Sequence, residues 1–336
     1  MNKLLSIEVA RGVAAVIVVL YHAARHLNQD LDFRIGKLAF QFGHAGVDFF
    51  FVISGFIILF IHAPDLGQPD RLGHYAQRRF TRIYPIYWVI LAVTVVLSIR
   101  HGMASPWEIA WAASLLPTSG DPMVGVAWTL QHEVIFYGVF AVLILHQRIG
   151  LALLGLWLAA MALGPLGGLP GVVVSTYNLE FFFGMGAAFW LRRGVVPIPH
   201  ALFLMGVTGF SATAGLEVLG IVDGYAAWAR LPYGLASTMI ILGLVEMERQ
   251  GQLGIWTAVL WLGRASYSIY LFHLTFIGLT YKLWSAAGLA VLAPVWVSYG
   301  VIVLAGIGGS AAVSRMVEYP LMRWVRLRLE GYFSRS

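Results

Sequence analysis

Residues 7–27 read IEVARGVAAVIVVLYHAARHL. At about 1.5 Å per residue this stretch is long enough to cross a bilayer, yet besides Arg25 and His26 at its far end it carries Glu8, Arg11 and His22. An ionisable group at bilayer depth costs roughly 2.5–3.5 kcal/mol on insertion scales, so three in one span ask for a reason. Their spacing supplies one. Arg11 and His22 stand eleven positions apart, which is about three turns, so both project from one face of a helix with about 16 Å between them along the axis. Glu8 precedes Arg11 by one turn and can pair with it. One stripe of this helix therefore faces protein or water. A helix start with a paired Glu and Arg, and a histidine at the membrane interface, is the other reading this span allows.

Working outward, the composition fixes the class. Hydrophobic residues make up 59% of the 336-residue chain and charged residues 11%, against roughly 25% charged in soluble domains, and the mean hydropathy is strongly positive. Such a chain is a polytopic membrane protein. The net charge of +6 would fit nucleic acid in a soluble protein, but here an excess of Lys and Arg marks cytoplasmic loops, and nucleic acid is not an expected partner. There is no cysteine, which excludes a disulfide framework, a zinc–thiolate site and a thiol nucleophile. Chemistry falls to His, Glu, Asp, Ser, Tyr or Arg, and no metal site is expected. The first span is too long and too polar on one face for a cleaved signal peptide, so it belongs to the mature protein.

Apolar segments of membrane length fall near 7–27, 45–62, 84–100, 128–146, 149–165, 178–192, 201–220, 232–247, 264–284 and 291–314. The expected fold is all-α, with about ten transmembrane helices. With the N-terminus inside, fifteen of the 22 Lys and Arg residues fall on the inner side and six on the outer, with Arg11 left within the membrane. This asymmetry places both termini in the cytoplasm. The stretch 103–127 has room for a short re-entrant or interfacial helix. With no repeat and no low-complexity linker, and about twenty residues after the last span, residues 1–336 are expected to form a single integral-membrane domain.

Three stretches add polar groups to apolar spans. GVDFFFVISGFII, from Gly46, puts Asp48 just inside the outer end of the second span, where it needs a partner. RRFTRIYPIYW puts Arg78, Arg79 and Arg82 at the inner end of the third, with Pro85 in its first turn. Arg79 and Arg82 are one turn apart, so their guanidinium forks can converge on one anion such as a phosphate. A positive-inside anchor with interfacial Tyr84, Tyr87 and Trp88 explains the same residues. WTLQHEVIFY, from Trp128, puts Glu133 about one and a half turns inside the outer end of the fourth span, at a depth similar to His22. A buried carboxylate near an imidazole is the arrangement that orients a general base.

Taken together, Arg11 with His22, GVDFFFVISGF, RRFTRIYP, WTLQHEVIFY, ASYSIYLFH and EYP resemble, in order from residue 6 to about 322, the signatures of the membrane-bound acyltransferase-3 family. Each motif is weak alone; six in the family's order are specific. The resemblance implies a bacterial inner-membrane, multi-pass enzyme that moves an acyl group, usually acetyl, from cytoplasmic acyl-CoA to an extracytoplasmic or lipid-linked carbohydrate. The chain is similar to the short members that act on exopolysaccharide and lacks the fused C-terminal hydrolase-like domain of some O-antigen members. The resemblance further implies His22 as catalytic base or transient acyl carrier, Glu133 as its assistant, and Arg11, Arg79 and Arg82 as the residues that engage acetyl-CoA. His132, before Glu133, departs from many relatives.

Other polar positions read less sharply. Ser266, Tyr270 and His273 share a face of the ninth span, and with Asp48 they are candidates to line an acyl passage; hydroxyls and a histidine bonded across helices explain them equally well. Glu318 reads as a structural partner of an inner-face arginine. Glu180 has no motif context, and His26, His44, His62, His74, His101, His146 and His200 fall in loops or near segment ends. A secondary transporter, with the intramembrane Arg, His and Glu as a proton or substrate site, is the alternative function. The absence of an inverted repeat and the paired arginines count against it.

Overall fold

A backbone crossing hydrocarbon must satisfy its own N–H and C=O groups, and a helix does so within each segment. The computed structural model describes residues 4–98, 105–118, 120–163, 171–254 and 259–333, with side chains through residue 328. Among them are α1 (Leu5–Asp30), α2 (Arg34–Ala39), α3 (Gly46–His62), α4 (Leu72–Ser98), α5 (Pro106–Ser114), α6 (Ala127–Leu145), α7 (Gln147–Leu163) and α8 (Gly171–Val174). These are followed by α9 (Leu179–Arg193), α10 (Pro199–Val218), α11 (Arg230–Arg249), α12 (Leu260–Ala286), α13 (Leu289–Leu292), α14 (Val295–Val313) and α15 (Tyr319–Phe333), and no strand occurs among the described residues. The chain is an all-α polytopic membrane protein.

Each apolar segment read from the sequence coincides with one of α1, α3, α4, α6, α7, α9, α10, α11, α12 and α14; positions 99–100 and 164–165, at two segment ends, lie outside the described residues. Among the described residues, seven helical stretches are long and apolar enough to cross a membrane by themselves. Of the rest, α7 and α9 are shorter, at 17 and 15 residues, whereas α12 has the length, 27 residues, but carries Arg264, Ser266, Ser268, Tyr270, His273 and Lys282. All three pack into the bundle: α9 along α3, α12 between α1 and α14, and α7 along α6. The end of the bundle where α1 begins is called basal here, and the other end distal.

Two features matter for function, the first a difference from the sequence reading and the second a short helix where one was expected. Helix α4 starts at Leu72, twelve residues before the apolar run near 84, so Pro85 lies inside a helix and Arg78, Arg79 and Arg82 stand on rigid helical turns. An apolar count cannot see this extension, because it is anchored by buried Tyr75, whose hydroxyl bonds the Tyr137 carbonyl of α6 at 3.1 Å. The second concerns 103–127. Described from residue 105, this stretch holds α5, opened by a reciprocal cap between Ser105 and Glu108. The helix descends from the distal end, and its last carbonyls accept from α4: Ala112 from Tyr87 at 2.7 Å, Ala113 from Trp88 at 2.9 Å and Ser114 from Tyr84 at 3.0 Å. Tyr84, Tyr87 and Trp88, which one reading of the sequence placed at the interface, thus satisfy the last carbonyls of α5. Leu115 then turns the chain with φ 58°.

Candidate active site

Six charged side chains from four helices converge on one cavity of about 310 Å3 at the basal half of the bundle. Helix α1 supplies Arg11, α4 supplies Arg78, Arg79 and Arg82, α6 supplies Glu133 and α15 supplies Arg326. The three arginines picked from the sequence are therefore together, although Arg11 lies about seventy positions from the others. Arg82 is set by its neighbours: Nη1 lies 3.2 Å from Glu318 Oε1, and the guanidinium stands 4.8 Å over the Tyr267 ring. Glu318 Oε2 accepts from Ser268 at 2.6 Å and Ser314 at 2.8 Å. The expectation that Glu318 answers an inner-face arginine matches this geometry. A π-helical turn, Ser314–Glu318, joins α14 to α15 and aims that carboxylate back at α4. Arg79 stands 5.6 Å over the Tyr137 ring, and its buried Nε has no hydrogen-bond partner among the described residues. Arg11 and Arg82 also border a second, basal hollow with Glu8, Arg264 and Arg315, and Glu8 reaches Arg264 at 3.7 Å.

Glu133 belongs to this arginine cavity. Its Oε1 accepts from Tyr137 at 2.5 Å and from Ser54 at 3.0 Å, and it is among the charges acting on Arg11. The expected pairing with His22 is not formed. The similar depth read from the sequence does not hold: Glu133 lies about one turn basal of Thr129, which bonds Tyr270, and Tyr270 in turn lies about one turn basal of His273 and so of His22. Ser266 and Tyr270 line the cavity as expected for a passage; the buried Ser266 hydroxyl has no partner among the described residues. Tyr270 is the most distal lining residue of α12, bonded by Thr129 at 2.9 Å and flanked by Phe50 at 5.9 Å between ring centres. His273, one turn beyond, leaves the cavity lining and faces His22, with ring centres 5.0 Å apart.

Asp48 lies elsewhere. Fully buried, it bonds Arg230 of α11, which is buried as well and also donates to the Gly224 carbonyl. Glu180 of α9 sits against Asp48 in the same cluster, and the Arg230 guanidinium stands 4.5 Å over the Tyr177 ring. Asp48 is thus an ion-cluster member rather than a lining residue of the arginine cavity. The sequence signalled that it needs a cation without saying which: Arg230 counted among the outer cations, and Glu180 had no motif. A second distal cluster was also missed, because no spacing rule joins its parts. His44 Nε2 lies 2.8 Å from Glu217 Oε1, Tyr233 donates to Glu217 at 2.8 Å, and Tyr225 stacks on His44 at 4.3 Å while sharing a hydroxyl contact with Tyr21. Among the described residues no group of His, Cys, Asp and Glu is arranged to hold a metal ion.

The arrangement offers a set of cations that can bind phosphates, a cavity whose lining reaches Ser266 and Tyr270, and an imidazole pair about one turn beyond Tyr270. A family model described as "Acyltransferase domain" matches residues 4–315. The "Exopolysaccharide production protein ExoZ" of Rhizobium meliloti (strain 1021) is 32% identical over 332 residues, covering 92% of this chain and 96% of that protein. "Protein 2 in picA locus" of Rhizobium radiobacter is 24% identical over 165 residues, 42% of this chain and 82% of that protein. The "Peptidoglycan O-acetyltransferase OatA" of Listeria monocytogenes is 32% identical over 96 residues, 28% of this chain and 14% of that protein. No solved structure matches the chain.

Proposed function

The chain belongs to the acyltransferase-3 family, and from that premise we propose that it transfers an acyl group, acetyl in the first instance, from cytoplasmic acyl-CoA to a hydroxyl of a carbohydrate on the far side of a bacterial inner membrane. The relatives whose names mention exopolysaccharide and peptidoglycan support a carbohydrate acceptor. The observation that carries the donor is the cavity in which Arg11, Arg79 and Arg82 converge: guanidinium forks match phosphate oxygens, and coenzyme A is a thioester whose distant end carries phosphates. With the phosphates held there, this reading has the long thin arm run past Ser266 and Tyr270, which line the cavity, toward His22. The roughly 16 Å from Arg11 to His22 along α1 is the span that arm covers.

At the distal end of that path, the acceptor hydroxyl gives its proton to a ring nitrogen of His22 as its oxygen attacks the thioester carbonyl. The carbon–sulfur bond breaks, and the thiolate takes up the proton. An ester remains on the carbohydrate and free CoA returns to the cytoplasm, so the acyl group crosses and CoA does not. Inside-out vesicles enclosing acceptor glycan and given labelled acetyl-CoA outside test this. Label on the enclosed glycan, lost in His22→Ala at unchanged abundance, is the expected result. Label that appears only when acceptor and donor share the cytoplasmic compartment overturns the crossing, and full activity of His22→Ala overturns the role of His22.

A further inference from the structure

Among the described residues, the ring contacts of His22 are with Tyr21, its chain neighbour, and with His273 at 5.0 Å and 48°. This second contact follows from how α1 and α12 run. Both start at the basal end and are parallel, and they touch backbone to backbone where Gly12 meets Gly263: a Cβ on Gly12 would lie 2.8 Å from the Gly263 nitrogen, and one on Gly263 would lie 1.9 Å from the Glu8 carbonyl oxygen. His22 and His273 each come ten residues later. Two parallel helices carry them the same distance of about 15 Å from the glycine contact, so that contact sets the height and register of the histidine pair.

His273 is fully buried, and its own helix fixes its tautomer. Nδ1 lies 2.7 Å from the Tyr270 carbonyl and 3.0 Å from that of Ile269. Carbonyl oxygens only accept, so Nδ1 carries the hydrogen, and Nε2 of the neutral ring is a bare acceptor. Among the described residues Nε2 has no hydrogen-bond partner, a state that buried acceptors rarely keep without a role. Imidazole rings with centres 5.0 Å apart can bring facing nitrogens to roughly 3 Å, which is hydrogen-bond distance.

We propose that His273 is the positioning residue of His22, its Nε2 accepting the N–H of one His22 ring nitrogen and leaving the other bare to receive the proton of the acceptor hydroxyl. The inference rests on the reading of His22 as the base. Its logic is that of the carboxylate that orients the histidine of a hydrolase triad, carried out by a neutral acceptor where a third buried charge would be costly. On proton uptake His22 becomes an imidazolium whose second N–H stays bonded to His273; on release to the thiolate both rings return to their starting tautomers. This role was expected of Glu133, whose bonds to Tyr137 and Ser54 instead keep it in the arginine cavity.

The test compares His273→Leu with His273→Gln in the vesicle assay with labelled acetyl-CoA, each rate taken per molecule inserted. Leucine fills the site without a polar atom; glutamine can place an amide oxygen near the position of Nε2. The expected result is a kcat lower on the order of 100-fold for Leu with the apparent KM for acetyl-CoA within about twofold, and at least about a tenth of the parent kcat for Gln. Free imidazole added to His273→Ala supplies an independent reading should the Leu variant fail to insert, with a rate that rises with imidazole expected. A Leu variant within about threefold of the parent overturns the proposal. So do Gln and Leu variants that are equally inactive, or an Ala variant whose rate imidazole leaves unmoved. Activity in His22→Ala removes the underlying reading as well, whereas an inactive His22→Ala beside an active His273→Leu removes only the pairing.

Discussion

Arg82 meets the cavity with its charge already partly answered by Glu318, and it still stands free enough, half-buried over Tyr267, to take a phosphate. Arg82→Ala should raise the apparent KM for acetyl-CoA by about one to two decades, since a charge-assisted bond is worth on the order of 1.5–3 kcal/mol, and leave the acceptor's constant unchanged. Donor and acceptor titrations separate the two; a shift confined to the acceptor contradicts the assignment. Glu133→Gln keeps an oxygen for both Tyr137 and Ser54, so the variant should accumulate normally while turning over more slowly through loss of the charge beside Arg11. Failure to accumulate would make Glu133 a folding residue. In the distal cluster two carboxylates, Asp48 and Glu180, face the one guanidinium of Arg230. Arg230→Met leaves both acids without a cation and should destabilise by about 3–5 kcal/mol, whereas Asp48→Asn leaves Glu180 beside Arg230 and should be milder. Thermal midpoints in detergent decide it; equal losses would mean that Glu180 does not share the cation.

Helix pairing is where small residues act. The contact between α1 and α12 exists because Gly12 and Gly263 let two backbones touch, as helices in lipid do when packing rather than a hydrophobic drive joins them. Gly263→Ala should therefore wedge the pair apart, with a loss of about 1–3 kcal/mol and of activity together, because the same contact sets the height of His22 and His273. Gly278, on the same helix, has nothing within 4 Å of its would-be Cβ, so Gly278→Ala should be neutral or slightly stabilising. Melting curves and transfer rates for the two variants check this; a Gly263→Ala protein that keeps both would show that the register is held elsewhere. At this scale the sequence was readable in part. Each apolar run became a helix, but the start of α4 at Leu72 depends on Tyr75 bonding into α6, and the descent of α5 depends on carbonyls met by Tyr84, Tyr87 and Trp88.

For the whole molecule, the basal end gathers Arg11, Arg79, Arg82 and Arg326 around a cavity, and the distal end holds His22, His44 and the Asp48 cluster. If positive residues hold the basal end inside, reporters fused at the N-terminus and at the C-terminus should both report cytoplasm, and one placed in the 219–229 connection should report the opposite side. Opposite sides for the two termini would exclude the expected even number of spans, about ten. Under the proposed function, the same orientation would put donor and acceptor on different faces, as modifying carbohydrate that has already left the cytoplasm requires.

From the order of residues alone follow the helical, membrane-borne class of the chain, the place of its apolar runs and the charges within them. Those properties rest on transfer free energies that act locally, run by run. The sequence also placed Arg11, Arg79 and Arg82 at one end, because helical rise converts sequence position into height. It could not say which way each helix turns its polar face. Arg230 for Asp48, Ser54 and Tyr137 for Glu133, and His273 for His22 are partners chosen across up to 251 positions by backbone contacts such as Gly12 with Gly263. Those choices belong to helix packing, since rotation about a helix axis leaves the local free energy of a span almost unchanged and is fixed only when a neighbour arrives.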